Sequence, residues 1–513
     1  MIRQFLKGLP VAIVAMGIGS GVAMAGKAND TLTWVTDRES AVVDPYFNRT
    51  RELVIIGNTA WDGLLFRDLE SGKFVPLLAK SYKWVDNVTL DFELRDDVKF
   101  HDGSSFGPED VIYTVEFTTN KDNGVVTLKN TNWMKSAEQT GPNSVRIHLH
   151  KPFPAALAYL AQAVPMLNAG HYDKAPVTKD GKKDFGAVAP NGTGPYKITE
   201  IVAGEKIVME RNENYFEGSP KGKPAIKNLV YRTIKEMNTQ MAELLTGGVD
   251  WIWDVPKDQA ERLKDSGQVS VVNAKTMRIS YLAFDVDGSS NVKAFKDKRV
   301  REAIAHAINR ESIVKNLVGE AAAVINTPCH PDQVGCVQDG IHNWDYDPEK
   351  AKKLLAEAGY PNGFEFDIYA YRQREFTEAV ISDLAKIGVK AKLNYMQYRK
   401  LRGLAQNGVT PVHHMTWGSY SIPDASACAG VFFSGGKDDP ANDPKVNELI
   451  NKAGNLTDLS EREALYKDAF NMISKNVYWL PMFTYAKNYA YNKSLSIETT
   501  SDEIPRFYTA KWK

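Results

Sequence analysis

The chain has few cysteines and no excess of charge of either sign. Only three of its 513 residues are cysteine, and Lys plus Arg and Asp plus Glu both total 63. The lack of a basic excess argues against nucleic-acid binding, and no acidic tail is present. Hydrophobic residues at 43% and charged residues at 25% are ordinary for a soluble globular protein. A chain of this length is expected to form two or three packing units.

Signatures of common enzyme classes are also scarce. No H-E-x-x-H zinc motif occurs, and no pairing of a nucleophile with a base is evident. Gly192-Thr-Gly194 is a lone glycine pair, and the following Pro195 has no N–H with which to cradle a phosphate. We therefore predict a turn at these glycines. We predict no enzyme activity, no catalytic residue, no cofactor and no metal site.

The first 25 residues have the features of a secretory signal. Arg3 and Lys7 precede the apolar run from Leu9 to Val14, and the segment ends Ala23-Met24-Ala25. A basic start, an apolar middle and an A-x-A end predict cleavage after Ala25. The alternative is an uncleaved membrane anchor, which the Gly, Ala and Ser content and Pro10 disfavour. The predicted location of the mature protein is the periplasm.

The three cysteines are interpreted in that oxidising compartment. Cys329 and Cys336 lie seven positions apart in a Pro-rich loop, which predicts a local disulfide. Cys428 is left over, and we expect a small buried thiol there.

Strand and helix patterns alternate along the chain, which predicts the α/β class with at least partly mixed sheets. Leu90, Phe92 and Leu94 alternate with charged residues, Asp102-Gly103 marks a turn, and Pro108 opens a helix. Other predicted strands cover 31–36, 143–149, 206–211 and 364–370. Predicted helices cover 55–66, 297–313 and 375–387, with one further helix beginning after Asp347 and one at the capping box 460–463.

Several of these segments carry a family resemblance. The run LRDDVKFHDGSSFGPEDV, the glycine segment NGTGPYKITEIV, and the helix segment DKRVREAIAHAINRESIV resemble the family 5 solute-binding proteins of bacterial ABC importers. The resemblance implies a two-lobe periplasmic-binding-protein fold (type II, peptide-receptor subclass) with an extra subdomain in the first lobe. The implied division is 1–25 signal peptide, 26–57 with 190–275 and 486–513 hinge-proximal lobe, 58–189 extra subdomain, and 276–485 second lobe.

The resemblance also implies a function without catalysis. Such a receptor captures short peptides or peptide-like solutes by lobe closure and delivers them to an inner-membrane permease with its ATPase subunits; we expect it to act as a monomer. Three alternatives remain. One is the same role for an opine, a sugar acid, a metal complex or a glutathione-like molecule. The second, of a different class, is a secreted hydrolase, and the third is a chaperone-like periplasmic protein that binds unfolded chains.

The segment from Trp417 to Asp424 resembles the ligand-contacting stretch of peptide receptors. There an acid at the start of the turn pairs with the peptide amino terminus, whereas this chain has Ser419 and Tyr420 at that place. Trp417 and Tyr420 are candidate apolar walls with polar tips. Asp424 is either a ligand contact or a plain turn residue.

Three further residues complete the predicted ligand site. Arg372 and Arg374 follow a predicted strand, where α/β lobes often contact ligand, and a guanidinium binds a carboxylate through two parallel hydrogen bonds. Either arginine is equally well explained as a surface residue. His414 is a weaker candidate, because His413 and His414 point to opposite faces of a strand and one at most can face a cleft.

Overall fold

The computed structural model describes residues 25–48 and 50–513. The predicted signal peptide, apart from Ala25, therefore lies outside the described residues. Within the described part of the chain, no helix is both long and apolar enough to cross a bilayer.

The described residues form a mixed α/β structure. Its strands are β1 Thr31–Thr36, β2 Leu65–Arg67, β3 Phe74–Pro76, β4 Ala79–Asp86, β5 Thr89–Leu94, β6 Met134–Gly141, β7 Ser144–Leu149, β8 Tyr196–Val202, β9 Lys206–Arg211, β10 Asn228–Thr233, β11 Trp251–Ile252, β12 Val269–Phe284, β13 Glu365–Ala370, β14 Lys390–Tyr395, β15 Val412–Trp417, β16 Trp479–Asn492, β17 Leu495–Ser496 and β18 Lys511–Trp512. Its α-helices are α1 Arg51–Ala60, α2 Pro108–Thr119, α3 Ala156–Gln162, α4 Met237–Thr246, α5 Lys257–Ser266, α6 Lys298–Ala307, α7 Arg310–Ile313, α8 Pro348–Glu357, α9 Arg374–Ala385, α10 Tyr398–Gln406, α11 Ser426–Phe432, α12 Pro444–Ala453 and α13 Leu459–Asn476.

One ten-stranded sheet runs through both halves of the molecule, in the order β14-β13-β15-β12-β16-β11-β1-β10-β9-β8. The strands β12 and β16 are long and pair antiparallel, and their register is interrupted between Lys275 and Ile279. Beyond the interruption β12 pairs with β15, whereas β16 pairs with β11 on the other side. Because the interruption falls at the predicted boundary after residue 275, we propose it as the hinge between the lobes.

Separate apolar cores support this division into lobes. One core surrounds Trp34, Tyr231 and Trp251 beside the strands β1, β10 and β11. A second core fills the space between α2 and the antiparallel sheet β4-β5-β7-β6, which belongs to the extra subdomain. Two more cores lie on opposite faces of the β13-β15-β12 part of the large sheet. Each unit thus has an apolar core of its own.

Three sequence predictions of helix limits were wrong in detail. The first helix is α1, Arg51–Ala60, because Thr50 caps it by accepting from Leu53 N, and Leu65–Arg67 is a strand. The predicted helix 297–313 breaks at Ile308, because Asn309 accepts from Ser312 N and starts α7. The cap of α13 is Asp458, which accepts from Glu461 N, rather than Ser460.

The three cysteines comprise one disulfide and one free thiol. Cys329 and Cys336 form a disulfide with their Cα atoms 5.8 Å apart, and Cys428 is a buried thiol.

Gly192 and Gly194 pass directly over the end of α1, and Gly194 N donates to Ala60 O at 3.0 Å. A Cβ on Gly194 would lie 2.6 Å from Thr59 O, which is backbone and has no room to move.

Replacing Gly194 with Ala is expected to lower the free energy of unfolding by about 1–3 kcal/mol, because the added methyl collides with the backbone of α1. Urea unfolding measures the change. Gly403→Ala in α10 is the matched control, because nothing lies within 4 Å of its Cβ position, and it is expected to be neutral or stabilising. Equal stability of the two variants would contradict the close packing of Gly194.

Candidate functional site

A cavity of about 500 Å³ lies between the lobes and is lined by all three parts of the chain. The hinge-proximal lobe contributes Arg51 and Lys487, the extra subdomain contributes Trp61, and the second lobe contributes Arg278 and Tyr420. We call this space the main cavity. Its size and its position at a lobe interface are typical of small-molecule sites.

A second cavity of about 310 Å³ adjoins the main cavity and shares five lining residues with it. We call it the arginine pocket. Its lining residues are Arg38, Arg51, Arg278, Tyr371, Arg372, Tyr398, Thr416, Trp417, Gly418, Ser419 and Tyr420. Four guanidinium groups and four aromatic side chains thus meet in one recess.

The buried carboxylate of Glu503 joins several of these cations. Glu503 is 3% exposed. Its Oε1 lies 3.4 Å from Arg278 Nε, and its Oε2 lies 3.6 Å from Lys487 Nζ and 3.9 Å from Arg51 Nη2. The cations come from β12, β16 and the first turn of α1, so one carboxylate connects three separate chain segments. We call this group the Glu503 cluster.

The pKa of Glu503 reflects these neighbours. Burial alone would raise the pKa of this carboxyl, because the charged form loses its hydration. The surrounding cations act in the opposite direction and prevail, so the pKa lies well below its usual range; they are Lys487, Arg278, Arg51 and Arg372. Glu503 is therefore ionised at neutral pH.

Local backbone structure places the cations of the cluster. Arg51 is the first residue of α1, directly after its N-cap Thr50. Arg278 lies in the interruption of β12, where the strand leaves its register with β16. Arg278 Nη1 also donates to Thr416 Oγ1 at 3.2 Å on the neighbouring strand β15. The start of α1 and the break in β12 therefore place the guanidinium groups of Arg51 and Arg278 at the same cleft.

A left-handed turn after β15 presents Tyr420 to the cleft. Ser419, Tyr420 and Ser421 have φ values of 49°, 52° and 63°, a conformation that side-chain-bearing residues adopt only at a cost of about 1–2 kcal/mol each. The turn is held by Ser421 Oγ, which donates to Asp502 O at 2.6 Å and accepts from Arg51. Tyr420 is 54% exposed despite this fixed backbone, as is typical of strained residues at binding sites.

The walls of the main cavity are basic overall. Among the described residues they carry seven Lys or Arg side chains, Arg38, Arg51, Lys221, Lys235, Arg278, Arg372 and Lys487, and four acids, Asp37, Glu52, Asp254 and Glu503. Lys221 pairs with Asp62 at 2.6 Å and Lys235 with Glu39 at 2.8 Å, both acids outside the lining. The positive charge that remains is therefore carried by the four arginines and Lys487.

The structure brings three of the six predicted ligand residues to the cleft. Arg372 and Tyr420 line both cavities. Trp417 forms a wall of the arginine pocket, although it is 7% exposed and its Nε1 donates to Ala427 O at 2.8 Å. Its ring lies edge-on to Tyr420 with centroids 5.0 Å apart. Trp417 thus belongs both to the core and to the edge of the site.

The other three predicted residues lie outside the linings of both cavities. Arg374 is exposed and pairs with Glu378 at 2.7 Å, one turn along α9. Asp424 is 3% exposed and accepts from Arg462 Nη2 at 2.8 Å, so it is a structural ion-pair partner within the second lobe.

His414 is the third of these residues. It is 4% exposed, and its two ring nitrogens lie 2.7 Å from Ser280 Oγ and 2.8 Å from Thr377 Oγ1. Burial lowers the pKa of His414 to about 4, so the ring is neutral at physiological pH. Both ring nitrogens therefore form hydrogen bonds inside the second lobe, one to β12 and one to α9.

Sequence reasoning missed four residues of the cleft: Arg51, Arg278, Lys487 and Glu503. One signal was available for Arg278, which is a charged residue in the otherwise uncharged second half of β12. A long charged side chain within a buried strand needs a partner, and its presence therefore marks a special site. No comparable signal marks Arg51 or Glu503, because both lie in ordinary polar segments.

One pentapeptide has the letters of a hydrolase motif. Gly103–Gly107 reads G-x-S-x-G, the spacing of a nucleophile elbow. Ser105 is exposed in the extra subdomain and forms an isolated bridge with Lys99, and Asp102 accepts from Ser104. In the described residues no histidine hydrogen-bonds to Ser105. The segment is a turn before α2 and lies outside the cleft lining.

In residues 25–48 and 50–513, no group of three His, Cys, Asp or Glu side chains is placed to hold a metal ion.

The chain is similar in sequence and in structure to known solute-binding proteins. The family model described as bacterial extracellular solute-binding proteins, family 5 Middle, matches residues 73–439. Glutathione-binding protein GsiB of Escherichia coli strain K12 is 27% identical over 508 residues, covering 94% of this chain and 95% of that protein. Heme-binding protein A of Haemophilus influenzae is 28% identical over 437 residues, covering 79% of this chain and 78% of that protein. The structure of NikZ from Campylobacter jejuni in complex with Ni(L-His) is similar with a TM-score of 0.74 and 27% identity, covering 94% of this chain and 99% of that one.

Replacing Glu503 with Gln is expected to lower the free energy of unfolding at pH 7 by about 3–5 kcal/mol, because the buried cations lose their counterion. Because the folded-state pKa of Glu503 is depressed, its contribution is present above the ordinary glutamate value of 4.5 and is lost as the pH falls through the lower folded-state value. The difference between wild type and variant should therefore be constant near neutrality and shrink below about pH 4.5.

Chemical unfolding at a series of pH values measures this difference. Glu498→Gln is the matched control, because Glu498 is an exposed acid in the same C-terminal segment and its replacement should have little effect. A Glu503→Gln variant as stable as wild type at pH 7 would remove the structural role of the cluster.

Proposed function

Because the chain belongs to the family 5 bacterial extracellular solute-binding proteins, we propose that it captures a short peptide or peptide-like solute in the periplasm and delivers it to an ABC permease. The observation that carries the proposal is the cleft between the lobes, whose walls come from both lobes and the extra subdomain. The family match confirms the resemblance found in the sequence motifs. The relatives are binding proteins, which agrees with the prediction that the chain is not an enzyme.

Lobe closure is the step that couples binding to transport in this proposal. The structure has contacts that join the lobes across the cleft: Ser421 with Arg51 and Asp502, and Thr457 Oγ1 with Asn87 Oδ1 at 3.0 Å. A solute that touches both lobes adds favourable contacts to the closed form alone and so shifts the population toward it. The permease then distinguishes closed from open receptors.

The nature of the solute is supported by the charge of the cleft. Arginine forks bind carboxylates through two parallel hydrogen bonds, and every free peptide carries at least one carboxylate. The relative named for glutathione matches nearly the whole chain, and glutathione is a small tripeptide within the proposed class. Other relatives are named for heme or were solved with a nickel–histidine complex, so opines, sugar acids and metal complexes remain the alternative.

The periplasmic location is supported by two independent features. The first 25 residues have the pattern of a cleaved secretory signal. The Cys329–Cys336 disulfide requires an oxidising compartment to persist.

Purification of the mature chain without refolding, followed by native mass spectrometry, is expected to reveal a bound solute of low mass. Isothermal titration with di- to pentapeptides should then give binding. Small-angle scattering should show a smaller radius of gyration with the bound peptide, because the lobes close. No binding of any peptide, together with binding of a sugar acid, heme or a metal complex, would reject the peptide assignment and favour the alternative.

Replacing Tyr420 with Ala is expected to weaken solute binding about tenfold or more, equivalent to ~1.4 kcal/mol, because an exposed aromatic wall of the cleft is lost. Stability should change little, because the side chain is largely exposed. Tyr395→Ala is the matched control, since Tyr395 is also exposed on the second lobe and lines neither cavity. Unchanged affinity of the Tyr420 variant would remove this residue from the site.

A further inference from the structure

The arginine pocket differs in charge from the rest of the cleft. Its wall contains four arginines, and among the described residues it contains no Asp or Glu. The acids of the cleft line the main cavity instead. A ligand that fills both cavities therefore meets two different electrostatic environments.

The arginines of the pocket are not equally compensated. Arg51 and Arg278 face the single carboxylate of Glu503, which they share with Lys487. Within the described part of the chain, the guanidinium groups of Arg372 and Arg38 have no hydrogen-bond or ion-pair partner, although Glu503 acts on Arg372 and Glu52 acts on Arg38 at longer range. The guanidinium groups of Arg372 and Arg38 thus remain without a direct partner in that part of the chain. They lie in the same pocket as Arg51 and Arg278, whose charges are only partly neutralised.

The expected acidic partner for a peptide amino terminus is absent from this region. Ser419 and Tyr420 stand at that place, and Asp424 is buried against Arg462. Among the described residues, the pocket lining therefore offers no carboxylate to an ammonium group and has an excess of groups that bind anions. Its polar hydroxyls, Thr416 and Ser419, are compatible with an anionic partner because each can donate.

Resting on the proposed function, we propose that the arginine pocket is a subsite for a doubly charged anionic portion of the solute, either two carboxylates or one phosphate-type group. One carboxylate occupies one fork through two parallel hydrogen bonds, whereas a phosphate-type group has enough oxygens to accept from both. The aromatic side chains of Tyr371, Tyr398 and Trp417 line the same pocket and would flank this group. The receptor therefore selects acidic solutes over neutral zwitterionic and cationic ones of the same length.

A charge series of tripeptides tests the subsite at constant length. The probes are Gly-Gly-Gly, Glu-Gly-Glu, Gly-phosphoserine-Gly and Lys-Gly-Lys, titrated calorimetrically at low and at physiological ionic strength. We expect Kd values at least tenfold lower for Glu-Gly-Glu or the phosphopeptide than for Gly-Gly-Gly, and the weakest binding for Lys-Gly-Lys. The preference should shrink as salt is added. The two acidic peptides distinguish paired carboxylates from a phosphate-type group.

Two arginine variants locate the effect. Arg372→Gln should reduce the ratio of the Kd values of Gly-Gly-Gly and the better acidic peptide to below threefold. Arg374→Gln is the matched control two positions away, because Arg374 lies outside both cavities and pairs with Glu378, and it should preserve the ratio. Equal affinities for neutral and acidic peptides, or an unchanged ratio in Arg372→Gln, would overturn the subsite while leaving peptide binding intact.

A non-peptide pair separates this inference from the peptide assignment. Thermal unfolding is followed with glutarate and with its neutral diamide, glutaramide. If no tripeptide binds but glutarate alone raises the melting temperature, and Arg372→Gln abolishes that rise, the peptide assignment fails and the anionic subsite stands. If neither the tripeptides nor glutarate show a preference for negative charge, the subsite is rejected.

Discussion

The arrangement of the cleft depends on one buried carboxylate, that of Glu503. Arg51, Arg278 and Lys487 come from parts of the chain that are far apart in sequence, and their like charges would repel one another in a space of low dielectric. Glu503 makes their approach favourable and is itself kept ionised by them. The result is a group of cations that lines the main cavity. The contact between Glu503 and Arg278 also connects the C-terminal segment to the second lobe.

Local patterns in the sequence predicted local structure well. The alternation in β5, the proline and acids that open α2, and the Asp347 cap of α8 each act within a few residues, so the information is present in the segment itself. The predicted helix 297–313 shows the limit of this reasoning. Its apolar positions continue with helical spacing, but a single side-chain hydrogen bond from Ser312 N to Asn309 starts a new helix.

The candidate site was only partly predictable for a related reason. Arg372 and Tyr420 could be found because each follows a strand that ends at the cleft. Asp424 and His414 also lie in or after the strand that ends at the cleft. Each is instead bonded to a residue distant in sequence, Asp424 to Arg462 and His414 to Thr377, and the sequence gives no sign of these pairs. The Glu503 cluster could not be predicted, because Arg51 and Glu503 meet only after the whole fold has formed.

The two long paired strands β12 and β16 connect the lobes and limit how the lobes can move relative to each other. A ladder of paired strands resists sliding and stretching, since either would break several hydrogen bonds at once, but it bends readily where the register is interrupted. At the hinge proposed above, motion of the halves is therefore expected to be a rotation about essentially one axis. Solutes of different shape would then close the lobes along the same rotation. A membrane partner would need to recognise only one closed geometry to distinguish a loaded receptor.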